Sequence, residues 1–333
     1  MRKYFQPFVI RTLYTLNVQS LLRNQKQKAE RVTLLCLHRI SSEQDYFWDP
    51  IKPENFEALA KYMRRNYDVI GISQLHEKQG KKPRAILSFD DGYYDFYSTA
   101  LPILKHYGLP SNHNIVTDIV NGHQEVIWTE NLNQVFNFLR NTRPDETIAL
   151  ADCEYKIKEH EMNLDSFYIV LLRKLFALSH AERTEVLGNW MKQFGLSVKP
   201  KKMMSWSDIE ECVANRVDIG SHTKRHSVLS SITDLAELEE ELYGSKIEIE
   251  KHLKTEVVTL APPNGLYNDT VLKSAAKAGY KFVLGIGELS GRQLCNENIE
   301  LLNRLNMISE PHYSAVMRVE ELQAGIKSML RRN

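Results

Sequence analysis

Three short stretches of this 333-residue chain hold residue types that could do chemistry together. In the first, the apolar run Ala85, Ile86, Leu87, Phe89 stops at two adjacent carboxylates, Asp90 and Asp91, followed by Gly92. Like charges side by side repel, so both stay ionised only where something positive offsets them. A divalent cation does this: one aspartate ligates it while the other works as a base beside it. An acidic turn closing a strand is the plainer alternative.

The second stretch, residues 218–231, carries His222 and His226 four positions apart after another strand-like run. On a helical turn that spacing turns both imidazoles to one face, within reach of a single metal ion. Two imidazoles and one carboxylate, with positions left open for water, make a catalytic zinc site or a similar one. In the third stretch Pro262 and Pro263 stiffen the exit from a strand. It is either a tight loop or one that aims the Asn264 backbone N–H at a developing oxyanion.

These stretches need a scaffold that brings strand ends together. Short apolar runs at 32–37, 68–72, 85–89, 111–117, 217–221, 257–261, 281–286 and 301–308 read as buried strands. Helical patterns lie between many of them: Phe56, Leu59, Ala60 and Met63 share one stripe, and Leu235, Leu238, Leu242, Ile249 and Leu253 another. Strands alternating with helices predict a parallel sheet or barrel. Residues 125 to about 210 break the rhythm and read as a mainly helical insertion, with 147–157 as a possible strand segment. Trp128 and Trp206 flank it, as core residues or as platforms for a sugar ring.

Composition narrows the classes. A net charge of +1, from 43 basic and 42 acidic residues, gives no global pull toward nucleic acid. Cys36, Cys153, Cys212 and Cys295 lie far apart, against a disulfide framework or a cysteine zinc site. Residues 1–30 form a basic, amphipathic N-terminal segment with no acid before Glu30. They are expected either to pack on the body at residues 31–333 or to meet an anionic membrane surface through residues 1–29. Arg11 interrupts the apolar run and no small-residue cleavage site follows, so a cytoplasmic chain, peripheral to a membrane at most, is expected.

In their order, the three stretches resemble the polysaccharide deacetylases of carbohydrate esterase family four. Ser88-Phe89-Asp90-Asp91-Gly92 is similar to that family's T-F-D-D-G, and His222 to His226 to its histidine motif. Leu260-Ala261-Pro262-Pro263-Asn264-Gly265 looks like the F-A-Y-P-x-G form of a bacterial branch. The resemblance spans roughly residues 32 to 308. It implies a distorted (β/α) barrel with chemistry at the C-terminal ends of its strands, here carrying the helical insertion.

It also implies Asp90 as general base, Asp91, His222 and His226 as ligands of one divalent metal, and the Asn264 N–H as oxyanion donor. The metal would be Zn2+, with Co2+, Ni2+ or Mn2+ as alternatives. Many relatives carry a late L-x-H histidine, and no such motif follows residue 308 here. His38, ending the strand 34–38, is similar to the early general-acid histidine of biofilm-type members; His312 is its rival. Ala261 stands where an arginine often opens the third motif, and Arg304 is expected to replace that arginine in holding Asp90. The implied activity is removal of N-acetyl groups from a glycan, by hydrolysis of a carbon–nitrogen bond. The alternatives are an O-acetyl esterase or other amidase on the same site, or an inactive glycan-binding module.

Overall fold

The computed structural model describes residues 2–78, 80–142, 147–150, 153–156, 164–296 and 299–322. Helices α1 (Arg2–Thr15) and α2 (Val18–Lys28) precede the first strand, β1 (Val32–Leu37). Then come α3 (Pro53–Asn66), β2 (Asp68–Val69), β3 (Arg84–Phe89), α4 (Leu101–Tyr107), β4 (Ser111–Ile115) and the short α5 (Thr117–Val120). The insertion follows, with α6 (Trp128–Thr142), β5 (Thr147–Leu150), β6 (Cys153–Lys156), α7 (Leu164–Phe176) and α8 (His180–Gln193). The chain rejoins the sheet through α9 (Trp206–Ala214), β7 (Val217–Ser221), α10 (Leu235–Glu239), α11 (Ser245–Leu253), β8 (Thr259–Leu260) and α12 (Asp269–Lys277). It finishes with β9 (Phe282–Gly287), β10 (Gly291–Asn296), β11 (Ile299–Asn306) and α13 (His312–Val319).

Seven strands close a parallel barrel in the order β1-β11-β9-β8-β7-β4-β3, and β3 pairs back onto β1. The expected (β/α) barrel is therefore present. β1 and β3 run in step from Val32 beside Arg84 to Leu37 beside Phe89. All six residues of each are buried, as expected of parallel strands covered on both faces. The two-residue alternation of a strand then sorts their side chains. Leu35, Leu37, Leu87 and Phe89 pack outward against the helices, with Phe56, Leu59 and Met63 of α3. Leu34, Ile86 and Leu302 lie in a separate cluster within the barrel. Two residues on, the same inward positions become Cys36, Ser88 and Arg304; two more bring His38, Asp90 and Asn306 to the mouth.

Several boundaries differ from the sequence pattern. The run 68–72 is a strand only over Asp68–Val69 and turns into a 3-10 helix at Ile72, and 257–261 pairs only at Thr259–Leu260. Thr117 begins α5 and is not part of a strand. β10, which has no clear apolar alternation, pairs antiparallel with β11. The stripe from Leu235 runs through α10, one π-helical turn and α11; Leu238, Leu242 and Ile249 are buried, but Leu235 is exposed. In the stretch 147–157, β5 and β6 form a two-stranded ladder, and residues 151, 152 and 157 lie outside the described residues. Cys36, Cys212 and Cys295 are free thiols.

The insertion lies between α5 and α9 in the crossover from β4 to β7, which are neighbours in the sheet. It has its own buried cluster, including Trp128, Phe136, Phe167, Leu171 and Trp190. The N-terminal helices lie against α13, with Ile10 buried and Tyr14 edge-on to His312. Lys26 is buried too, donating to the Val319 carbonyl and lying 3.8 Å from Glu321. No described helix is long and apolar enough to cross a membrane.

Candidate metal centre and active site

Asp90 follows β3 directly, and its N–H donates to the Leu37 carbonyl at 3.0 Å. That bond extends the β1–β3 register by one residue and sets His38 abreast of Asp90. Ligand atoms of Cys36, His38 and Asp90 all lie within 4.8 Å of one another. Asp91 (φ 82°) and Gly92 (φ 93°) turn the chain through the left-handed region, which a glycine enters without steric cost. The turn is pinned from below by His113, whose Nε2 accepts the Gly92 N–H at 3.0 Å. Burial lowers His113 to about 3, so it stays neutral and free to accept that bond.

Asp90 is buried and held by Arg304, a residue with no solvent exposure. The guanidinium grips it in a two-pronged bond, Nη1 to Oδ1 at 2.8 Å and Nη2 to Oδ2 at 2.8 Å. Asn114 Nδ2 adds a bond to Oδ1 at 2.7 Å. Burial pushes the Asp90 carboxyl up, but the Arg304 charge, followed by His222, outweighs it and leaves it well below the usual carboxylate range. Arg304 reaches this position from β11 because its inward register points across the barrel. The space there is narrow: a Cβ on Gly220 would lie 2.2 Å from Asn114 Oδ1.

Asp91, His222 and His226 converge on one point. Asp91 Oδ1 lies 3.2 Å from His222 Nε2 and 3.5 Å from His226 Nε2. The histidines are not on a helical turn, as their spacing suggested. They follow β7 in a loop where Thr223 (φ 70°) and His226 itself (φ 58°) are left-handed. Glu241, fully buried, braces that loop by accepting from the Lys224 and Arg225 N–H groups at 3.1 and 3.0 Å.

The donor set fits a cation. His222 Nδ1 lies 2.7 Å from the Ala261 carbonyl, which only accepts, so Nδ1 carries the proton. In the neutral ring Nε2 then turns a lone pair toward the Asp91 carboxylate, an arrangement that a shared proton or a metal ion must relieve. Burial opposes charge on His222, but the Asp90 charge and the Asp91 hydrogen bond hold it above its ordinary value. Burial lowers His226, whose Nδ1 has no partner among the described residues. Two nitrogens and one oxygen, all within 4.8 Å, suit zinc and similar ions. The neighbouring group of Cys36, His38 and Asp90 suits them less. Burial raises the Cys36 thiol well above its ordinary value, and Arg304 already occupies Asp90.

A cavity of about 500 Å³ opens over these groups. His38, Asp90, Asp91, His222, His226 and Asn264 all line it. Asn264 sits in a 3-10 turn, Pro263–Gly265, with φ 58°. Its Nδ2 is buried without a partner among the described residues. His312 lies elsewhere, edge-on to Tyr14 and Tyr62.

Other walls were not anticipated. The insertion contributes Thr129 and Asn133 from α6 and Tyr168, Leu172 and Phe176 from α7; the loop after β1 contributes Phe47, Trp48 and Asp49. Tyr168 stacks on Phe47 at 4.8 Å and donates to Asn133 Oδ1 at 2.7 Å. Trp48 stands edge-on to His38 at 5.4 Å. The flanking tryptophans do not line it: Trp128 is core with the Arg183 guanidinium over its ring, and Trp206 stacks on His252 at 3.9 Å. For Asn114 a signal existed. Ser111, Asn112, His113 and Asn114 put four polar residues into a strand where parallel sheets are usually apolar.

Residues 176–283, which hold the histidine loop and Asn264, match the family described as polysaccharide deacetylase. Among curated proteins, the peptidoglycan-N-acetylglucosamine deacetylase of Bacillus cereus is 36% identical over 83 residues, 25% of this chain and 38% of that protein. The chain spans about two fifths of the length of the curated relatives it matches. Among solved structures, the Streptococcus pyogenes deacetylase PplD, in complex with acetate, superimposes with a TM-score of 0.57 at 17% identity. That match covers 87% of this chain and 98% of PplD. IcaB from Ammonifex degensii does so with a TM-score of 0.56 at 15% identity, over 87% and 97% of the two chains. The chain shares its barrel fold with these deacetylases, and over residues 176–283 it is similar to the polysaccharide deacetylase family.

Proposed function

We propose that this protein is a metal-dependent hydrolase that removes acetyl groups from the nitrogen of an N-acetylated glycan. The observation that carries this reading is the convergence of Asp91, His222 and His226 beside an Asp90 held ionised by Arg304, at the floor of one cavity. When bound there, a divalent cation supplies Lewis acidity, which makes water a nucleophile near neutral pH and polarises a carbonyl. Zn2+ suits the two imidazoles and the carboxylate.

The chain's own groups divide the remaining work. Asp90 accepts the proton of the attacking water, and Arg304 keeps it ionised for that purpose. The Asn264 N–H faces the oxygen on which negative charge develops. His38, across the mouth from the histidine pair, gives its proton to the leaving nitrogen as the C–N bond breaks, and acetate and a free amine result. Phe47, Trp48 and Tyr168 offer aromatic surface to a sugar ring, with the Asn133 amide at the same wall.

Metal analysis of protein purified without chelator, paired with an acetate-release screen on N-acetylated oligosaccharides, tests the reading. Stoichiometric metal with release of acetate and appearance of amine is the expected result. Release from O-acetyl esters alone would move the activity to an esterase, and metal without turnover on either substrate would leave a glycan-binding module.

The same proposal includes contact between the N-terminal segment and an anionic membrane surface. Phe8 on α1, Leu16 between the two helices and Leu21 on α2 are exposed among basic residues, which supports it. Flotation with anionic liposomes, with and without residues 1–29, tests it; equal recovery of the two forms would leave packing against α13 as the segment's role.

A further inference from the structure

A second cavity, of about 570 Å³, shares no lining residue with the first. It lies where α2, the C-terminal half of α3 and the start of α13 meet, and its walls include Arg23, Lys61, Arg65 and His312. No carboxylate lines it. Among the described residues, none of these three Lys and Arg side chains forms a direct ion pair with a carboxylate. Arg23 donates only to hydroxyls, Tyr62 at 3.0 Å and Ser20 at 3.2 Å. The carboxylate of Glu320 stands behind the wall and accepts from Tyr62 at 2.7 Å and Tyr67 at 2.8 Å.

Two further observations point to a ligand. Gln19 lines the cleft at 9% exposure, and its Oε1 is buried without a partner. Half a turn of that amide exchanges the oxygen for an NH2 donor at the same place. The Nδ1 of His312 is likewise buried without a partner. Cations gathered around a cavity whose lining holds no carboxylate, with an amide that can turn its NH2 inward and an unpartnered imidazole nitrogen in its wall, favour an anion. Two guanidinium groups favour one with several oxygens that accept paired bonds.

We propose that this cleft binds a phosphate group, either free inorganic phosphate or the headgroup of an anionic phospholipid. The assignment does not depend on the catalytic reading, because no residue is shared and no turnover is measured.

The test uses the full chain, the double variant Arg23→Gln/Arg65→Gln, and a charge-matched double variant at exposed positions outside both the cleft and the N-terminal segment, Lys251→Gln/Lys273→Gln. Two probes are applied: inorganic phosphate, followed by the melting midpoint, and vesicles of phosphatidylcholine with or without phosphatidylglycerol, followed by flotation. Apparent affinity should fall on the order of tenfold for each guanidinium removed from the cleft, and stay near wild type in the charge-matched variant. A midpoint rise with phosphate, but no gain in flotation, assigns free phosphate. Flotation that needs phosphatidylglycerol and is lost in the cleft variant assigns the headgroup. No response of the wild-type protein to either probe, or an equal response in the cleft variant, overturns the proposal. Should the double variant fold poorly, Lys61→Gln, at an exposed position, carries the same test with a single charge.

Discussion

At the barrel mouth Asp90 meets Arg304 at 2.8 Å and Asp91 meets two imidazoles at 3.2 and 3.5 Å, whereas in the N-terminal cleft Arg23, Lys61 and Arg65 form no ion pair among the described residues and no carboxylate lines the wall. The difference follows burial. Asp90, Asp91, His222, His226 and Arg304 are all buried, where an unpaired charge is very costly. Their compensation is therefore built into the fold. Lys61 and Arg65 are exposed, so water solvates them and they need no permanent partner. A buried charge cluster is thus committed to its geometry, while an exposed one is free to wait for a soluble ligand.

The contrast breaks first at the proposed metal ligands. His226→Ala should lose bound metal and turnover together, as read by metal analysis and acetate release. A variant that kept full metal occupancy would remove His226 from the ligand set. Next come the proton carriers. Asp90→Asn and His38→Ala should each lower turnover by ~10²–10⁴, with metal retained. Near-normal turnover in His38→Ala, alongside a large loss in His312→Ala, would move the acid role to the other cavity.

The third prediction sharpens the cost of commitment. Arg304→Met leaves Asp90 buried without its cation and should destabilise the fold by about 3–5 kcal/mol at neutral pH. The pH dependence has a definite sign. A carboxyl held below its ordinary value adds stability above its unfolded pKa and loses it as the pH falls through the folded one. The gap between wild type and variant should therefore narrow in acid, as measured by urea unfolding at two pH values. A gap independent of pH would mean that Arg304 acts through packing alone.

The smallest effect belongs to Glu130, buried behind the site and hydrogen-bonded by Tyr93. Burial raises it from 4.5 to about 7. A raised carboxyl favours folding in acid, and that contribution fades as the pH climbs through the same window. Glu130→Gln should remove the slope there, worth roughly 1–3 kcal/mol across the window. An unchanged slope would assign it to another group.

The site's skeleton was legible because its residues interrupt apolar runs. Asp90 and Asp91 stop β3, His38 closes β1, and Arg304 is the one basic residue of β11; each stands out against buried strand neighbours. The insertion was legible as helical, but its contribution to the cavity was not. Tyr168 and Phe176 fit an apolar helical stripe as well as a binding wall, and periodicity does not say which space a stripe borders. Asn114 escaped notice because its partner, Asp90, lies on a different strand, 24 positions away. The histidine spacing suggested a shared helical face, but the loop achieves convergence with two left-handed residues, Thr223 and His226.

Alternating strands and helices determined by themselves a parallel sheet or barrel, and carboxylates and histidines at strand ends marked the candidate site; the resemblance to the deacetylases chose the barrel. Local pattern suffices there, because a strand's inward positions repeat every two residues whatever surrounds it. Tertiary structure decided that Arg304 grips Asp90 across the barrel, that His38 and not His312 lines the same cavity as Asp91, His222 and His226, and that an insertion walls that cavity. It also decided that Arg23 and Arg65, far apart in the chain, face one cleft. Those are distances between elements remote in sequence, set by how the sheet closes and the helices pack, and no run of neighbouring residues encodes them.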